Sequence, residues 1–368
     1  YSDGKIEKGK DIMENQRFES PMAPWGGMEQ IGWSPKGDKF AYTCKKLTGK
    51  EYSLSTNSEI YVFDLKTGTE TNVSKGIAGY DQDPVFSPDG RKLVWRSMAR
   101  DGFEADKDRI MIYDFATAQY ADYSENFDQN ANNFAWTADS KTLYFLSPIH
   151  GTVQVYTLNI ENKQIKQVTS GQWDYLSISL AGKDIVTSKQ SMTMPTEIFK
   201  IDATGKETQL SFTNKEILKD VKSAKVEERW MTTTDNKKML VWVVYPPDFN
   251  PNKKYPALLF CEGGPQSMVS QFFSYRWNMQ MMAANDYIVI APNRRGLPGF
   301  GQEWNEQISG DYGGQNMKDY LTAVDEMAKE PFVDKDRLGA VGASYGGFSV
   351  LWLAGHHEKR FKVFISHC

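Results

Sequence analysis

The 368-residue sequence predicts a chain in two parts: a partial β-propeller with about four blades in view, then a doubly wound α/β sheet incomplete at its C-terminal end. Three observations carry this. One hairpin motif recurs in phase through the first half, the pattern changes to alternating strand and helix after residue 218, and a serine stands on a strand-to-helix turn near the last residue.

The repeat is Ile31 to Tyr42, which reads Ile-Gly-Trp-Ser-Pro-Lys-Gly-Asp-Lys-Phe-Ala-Tyr. Pro84 to Trp95 and Phe134 to Phe145 echo it, and Leu176 to Val186 is a worn fourth copy. Each places Pro and Gly, or Asp and Ser, between aromatic and β-branched residues, the pattern of a tight hairpin. A third strand follows each hairpin, at Ile60–Asp64, Ile110–Asp114, Val153–Tyr156 and Glu197–Asp202. A turn and a last short strand, such as Gln164–Thr169, complete a unit of about four strands. Repeats of roughly 40 to 50 residues with four strands each are propeller blades. A β-sandwich also uses short strands, but it gives no reason for one motif to recur in phase. The blades run from near Met22 to near Asn214, and residues 1 to 20 read as the tail of a preceding blade.

The lysine-rich stretch from Lys215 to Lys222 ends that pattern, so the expected domains are 1–218 and 219–368. Beyond it, Val226–Thr232 and Lys238–Tyr245 form a hairpin around Asp235 and Asn236, closed by Pro246-Pro247. Ala257–Cys261 is an apolar strand, Met268–Ala284 is expected to be helical, and Tyr287–Ala291 is another strand. Gly314–Lys329 carries Met317, Leu321, Val324 and Met327 at helical spacing. A polar loop from Asp334 to Arg337, the strand Leu338–Val341, a helix and the strand Phe361–Ile365 close the series, a β-α-β alternation that argues for a doubly wound sheet.

Between that strand and that helix lies Gly342-Ala343-Ser344-Tyr345-Gly346-Gly347. Gly-x-Ser-x-Gly is common by chance and an ordinary tight turn is the alternative, but here the strand and helix that a nucleophile elbow demands flank it. The flanking glycines are then a steric requirement where strand and helix crowd together.

Composition narrows the function. With 43 Lys plus Arg against 47 Asp plus Glu and no long charge blocks, a nucleic-acid partner is not expected. No apolar run approaches the roughly twenty residues that span a bilayer, so no membrane span is expected. Cys44, Cys261 and Cys368 have neither disulfide-framework nor metal spacing, and no metal or cofactor is expected. The composition is equally compatible with a monomer and a homodimer.

The Ser-Pro-Asp-Gly hairpins, Phe332-Val333-Asp334-Lys335-Asp336-Arg337 and Gly342-Ala343-Ser344-Tyr345-Gly346-Gly347 resemble the prolyl oligopeptidase family of serine peptidases. Glu262-Gly263-Gly264-Pro265 resembles the His-Gly-Gly-Pro element of its acylaminoacyl-peptidase-like branch. Ser55 to Tyr61, Gly79 to Pro84 and Arg100 to Asp106 are similar to that branch's dipeptidyl peptidases of bacteria and fungi. The resemblance implies a β-propeller joined to an α/β-hydrolase domain, short peptides as substrates, and a periplasmic or secreted location. Release of dipeptides from free N-termini is the expected activity, with an acylaminoacyl peptidase, an esterase or a non-catalytic propeller platform as the alternatives.

Under this reading Ser344 is the nucleophile, which needs an adjacent base. The Tyr345 backbone N–H is one expected oxyanion donor. Other branches carry a tyrosine near position 262, where this sequence has Glu262, so the Gly263 backbone N–H is the expected second donor. The histidines are His150, His356, His357 and His367; the first lies in the propeller, the next two end the elbow helix, and the last ends a strand too early to follow an acid. The resemblance therefore implies a triad aspartate and histidine beyond Cys368, and a chain inactive without them. A dipeptidyl peptidase must also bind an α-ammonium group, which calls for a carboxylate. The loop from Met98 to Arg109 offers Glu104 and Asp101, with Arg100 beside them, and Glu262 is an outside candidate; a solvated charged hairpin is the alternative.

Overall fold

The computed structural model describes residues 9–24 and 26–367. The first eight residues of the expected tail, and Cys368, lie outside the described residues. The chain divides into two compact units, residues 1–104 with 110–122, and residues 105–109 with 123–368.

The two earliest repeats each fold as a four-stranded antiparallel sheet. The first runs Ile31–Trp33, Lys39–Cys44, Glu59–Asp64 and Glu70–Asn72. The second runs Asp81–Phe86, Lys92–Ser97, Arg109–Asp114 and Gln119–Asp122. Their phase has a local cause in one hydroxyl. Ser34 Oγ accepts the Lys39 N–H at 3.0 Å, Ser87 Oγ the Lys92 N–H at 2.9 Å, and Thr137 Oγ1 the Thr142 N–H at 3.0 Å. Each hydroxyl in turn donates to an aspartate of its own turn, Asp38, Asp89 or Asp139. The side chain thus closes the hairpin, a competition with backbone pairing that Ser and Thr are suited to.

In the second unit the third repeat forms Asn132–Trp136, Thr142–Ile149, Thr152–Asn159 and Ile165–Gln167, and the fourth forms Ser179–Ala181, Asp184–Ser191, Met194–Ile201 and Glu207–Gln209. The short strand Asp174–Tyr175 joins them into one nine-stranded sheet, parallel to Thr152–Asn159 and antiparallel to Asp184–Ser191.

Beyond residue 225 the chain builds a six-stranded sheet in the order Val226–Thr232, Lys238–Val244, Ile288–Pro292, Tyr255–Cys261, Val333–Ala343, Val363–His367. The first two joins are antiparallel and the last three parallel. This is the expected antiparallel entry into a doubly wound sheet. Alternate residues of Lys238–Val244 feed opposite cores: Val241 and Val243 pack with Leu259 and Ile290, and Leu240, Trp242 and Val244 pack with Phe260 and Val289. Burial on both faces is why that strand reads as a continuous apolar run. The helix Gln315–Met327 covers the first core with Met317, Val324 and Met327 of the expected stripe, joined by Tyr320 and Ala323, while Leu321 is only partly buried.

Two expected elements differ. Only Met279–Ala284 of the segment 268–284 is helical. Before it, side chains capture the backbone groups a helix would need: Asn293 Oδ1 takes the Val269 N–H, Asp174 the Gln271 N–H, and Ser274 Oγ the N–H groups of Arg276 and Trp277. The helix starts only where Asn278 Oδ1 accepts from Gln280 and Met281. Asp334–Arg337, expected as a loop, lies inside the strand Val333–Ala343 as an irregularity, because Tyr255 pairs with Val333 while Ala257 pairs with Leu338.

Candidate active site

The parallel strands Tyr255–Cys261 and Val333–Ala343 lie side by side, with Cys261 opposite Gly342, so the loops leaving their C-terminal ends are neighbours. One loop is Glu262-Gly263-Gly264-Pro265; the other is the turn at Ser344 into the helix Tyr345–His356. Ser344 has φ 56° and ψ −124°, a left-handed backbone that a non-glycine residue seldom adopts. The surroundings hold it there: its N–H donates to the His367 carbonyl at 2.9 Å, and its own carbonyl accepts the Phe348 N–H at 3.0 Å. Strain of this kind costs on the order of 1–3 kcal/mol and concentrates at functional sites.

The flanking glycines are as crowded as the elbow requires. A Cβ on Gly346 would lie 2.1 Å from the Cys261 carbonyl oxygen, and one on Gly342 would lie 2.5 Å from the Gly346 carbonyl oxygen. Gly263 faces the nucleophile directly, since a Cβ there would meet Ala343 O at 3.1 Å and Ser344 Cβ at 3.6 Å. The structure therefore brings Ser344, Tyr345 and Gly263 together.

The two expected oxyanion donors stand differently. Tyr345 opens its helix, where the first N–H groups have no intrahelical acceptor, and among the described residues its N–H has no partner. The Gly263 N–H is occupied: it donates to Glu262 Oε1 at 3.1 Å. It can serve as a donor only if that carboxyl turns away. Glu262 Oε2 is shut off from solvent and has no hydrogen-bond partner among the described residues. Burial pushes this carboxyl up to about 7, against the Gly263 N–H and the positive charge of Arg294, which both pull it down.

Arg294 is the residue that sequence reasoning missed. It follows the buried strand Ile288–Pro292 and is 0% exposed. Its Nε donates to Tyr320 Oη at 3.1 Å, Nη1 to the Arg295 carbonyl at 2.9 Å and Nη2 to the Pro265 carbonyl at 3.2 Å. Its Cζ lies 4.6 Å from the centre of the Tyr345 ring. The neighbouring Arg295 instead bonds two carboxylates, Asp319 at 2.8 Å and Asp235 at 2.7 Å. The sequence signal was the pair of adjacent arginines at the end of an apolar strand.

The expected substrate-amine residues lie together in the first unit. Asp101 Oδ1 accepts from Ser55 Oγ at 2.9 Å, Thr56 N at 2.7 Å and Thr56 Oγ1 at 3.3 Å, and these bonds hold its carboxyl below its usual range, that from Ser55 most strongly. Asp101 thus fastens its loop to residues 55–56. Arg100 stacks on Phe103 at 3.7 Å, and Glu104 accepts from Tyr80 Oη at 2.8 Å and is exposed.

Among the described residues, no histidine bonds Ser344 Oγ. His356 Nδ1 is 2.8 Å from the Trp352 carbonyl and stacks on that ring, while His357 Nδ1 accepts the Phe361 N–H at 3.1 Å, so both finish the helix. His150 packs edge-on against Trp230, and the His367 ring packs against Trp277. Among the described residues there is no group of three or more His, Cys, Asp or Glu side chains able to hold a metal, and no helix long and apolar enough to cross a membrane.

Comparison with known proteins agrees with this arrangement. Residues 273–368 match the family model of the prolyl oligopeptidase family, and residues 30–220 match that of the TolB beta propeller domain. A Dipeptidyl-peptidase 5 of Porphyromonas gingivalis is 52% identical over 100% of this chain and 54% of its own length. One from Arthroderma otae is 28% identical over 99% of this chain and 52% of its own. The chain thus spans about half the length of the curated relatives it matches. Among solved structures, an acylaminoacyl peptidase of Pyrococcus horikoshii superposes with a TM-score of 0.76 at 22% identity, over 90% of this chain and 50% of that one, a likeness of fold.

Proposed function

We propose that this chain, whose residues 273–368 match the prolyl oligopeptidase family and whose residues 30–220 match the TolB beta propeller domain, is the nucleophile-bearing part of a serine peptidase that releases dipeptides from the free N-termini of short peptides. The observation that carries the reading is the backbone of Ser344, held at φ 56° between two glycines that tolerate no Cβ. Strain so placed has a use if the hydroxyl must stand clear of the sheet to attack a carbonyl carbon.

In the proposed reaction Ser344 Oγ attacks the carbonyl of the second residue and loses its proton to a base. The C=O electron pair moves onto the oxygen, which the Tyr345 N–H stabilises. Collapse expels the leaving amine with a proton from that base and leaves an acyl-enzyme that water hydrolyses. The described histidines do not supply the base, and the chain spans about half the length of the relatives it matches. The relatives named Dipeptidyl-peptidase 5 support the dipeptidyl specificity. A periplasmic or secreted location belongs to the same proposal and is supported by the resemblance alone.

The test is labelling of the full-length protein by a fluorophosphonate, with release of dipeptides from a free-amine peptide measured alongside. Labelling at Ser344 that disappears in Ser344→Ala, together with dipeptide release, is the expected result. A full-length protein that is neither labelled nor active would end the reading.

A further inference from the structure

We infer that Arg294 is a positioning residue of this site: it locks the Gly263–Pro265 loop to the start of the Ser344 helix and sets a fixed positive charge behind the point where the oxyanion forms. The inference rests on the acyl-transfer reading of Ser344.

The first part is geometric. The guanidinium stands at the junction of the two elements that flank the nucleophile, with Nη2 on the Pro265 carbonyl and its plane beside the Tyr345 ring. Its Nε holds Tyr320 Oη, which reaches toward the Glu262 carbonyl at 3.5 Å. Its own carbonyl is fixed by Trp304 Nε1 at 3.1 Å. A shift of Arg294 would therefore move both the Gly-Gly-Pro loop and the ring that follows the nucleophile.

The second part is electrostatic. Buried charges are normally paired, because removing an ion from water costs several kcal/mol that a counter-charge must offset. Arg295, one residue on, obeys this twice over. Arg294 is as deeply buried, yet its three acceptors are neutral oxygens, and among the described residues no carboxylate lies within ion-pair distance. Neutral donors could satisfy those oxygens, so the retained charge asks for a use. A preorganised positive charge in a low-dielectric site stabilises negative charge that develops only in the transition state.

Its field reaches the right groups. Cys261, Glu262, Tyr320 and Tyr345 all respond to it, and Glu262 is the acid among them. Because burial keeps the Glu262 carboxyl largely neutral below about 7, the Arg294 charge acts uncompensated there. Above about 7 an ionised Glu262 offsets it.

The experiment uses the full-length protein and a free-amine dipeptide substrate. Arg294→Gln is expected to lower kcat about tenfold to a hundredfold with KM within about threefold, somewhat less than the loss of a direct oxyanion donor. Arg294→Lys, which restores the charge, should recover most of kcat. As an independent measurement, the ratio of kcat for the wild type to kcat for Glu262→Gln should fall as pH rises through about 7, since only the wild type gains the offsetting charge. That ratio decides the matter if Arg294→Gln does not fold. An unchanged kcat in Arg294→Gln, equal losses in the Gln and Lys variants, or a ratio flat across pH 6 to 8 would overturn the inference. With Ser344 still labelled by fluorophosphonate, such a result removes this inference alone; an unlabelled wild type removes both readings.

Discussion

Replacing Asp174 by Asn should change how stability depends on pH, in a direction set by burial. Asp174 sits on the two-residue strand that joins the third and fourth repeats, 2% exposed. Its Oδ2 accepts from Ser270 Oγ at 2.6 Å, and its Oδ1 accepts the N–H groups of Gln271 at 3.2 Å and Val153 at 3.1 Å. Burial nevertheless prevails over these donors and pushes the carboxyl from 3.8 up to about 6. Below pH 3.8 the group is neutral in both folded and unfolded chains and the shift has no effect. Between 3.8 and about 6 the unfolded chain ionises first, so stability is lost as pH rises, and above about 6 the loss is complete. Two units correspond to about 3 kcal/mol at 1.36 kcal/mol each. An asparagine keeps the Oδ1 acceptor, can donate to Ser270 Oγ, and does not titrate. The stability of Asp174→Asn minus that of the wild type should therefore rise by about 3 kcal/mol from pH 3 to pH 7, whatever its value at pH 3. Urea unfolding followed by tryptophan fluorescence, with Trp173 adjacent, measures this difference, and the other titrating groups cancel in it. A difference that stays constant with pH, or falls, would refute the reasoning.

Gly346→Ala places a methyl group 2.1 Å from the Cys261 carbonyl oxygen and should cost about 1–3 kcal/mol, with loss of fluorophosphonate labelling in the full-length protein. Gly355→Ala in the same helix, with nothing within 4 Å, should instead stabilise by up to about 1 kcal/mol, and thermal unfolding of the pair separates crowding from helix propensity. In the loop after Met98, Asp101→Asn keeps the acceptor for Ser55 and Thr56 and should leave KM unchanged. Glu104→Gln should raise KM for a free-amine peptide about tenfold, the loss of a charged hydrogen bond. Equal KM values for Glu104→Gln and wild type would remove Glu104 from substrate binding.

What the sequence disclosed depends on whether the cause of a feature was local. The blade hairpins were legible because Ser34, Ser87 and Thr137 close their own turns within five residues, so the cause repeats with the motif. The elbow was legible because the crowding at Gly342 and Gly346 must be met by residue type alone. The segment 268–278 was misread because its determinants are distant: Asp174 and Asn293 take its N–H groups from 97 and 24 residues away. The same distinction governs the site. Ser344 announces itself through its flanks. The state of the Gly263 N–H depends on which way the Glu262 side chain turns, which no spacing encodes. Asp101 and Glu104 looked alike as carboxylates in one loop, yet only the folded chain shows that Asp101 takes its donors from Ser55 and Thr56 while Glu104 takes the Tyr80 hydroxyl. Arg294 is the extreme case. Adjacent arginines after an apolar strand suggest two surface charges, and the fold buries both, giving one a pair of carboxylates and the other, among the described residues, only neutral acceptors. The role proposed for such a residue lies in having neutral acceptors in place of a counter-charge, a relation among several elements that becomes visible only once all of them are in place.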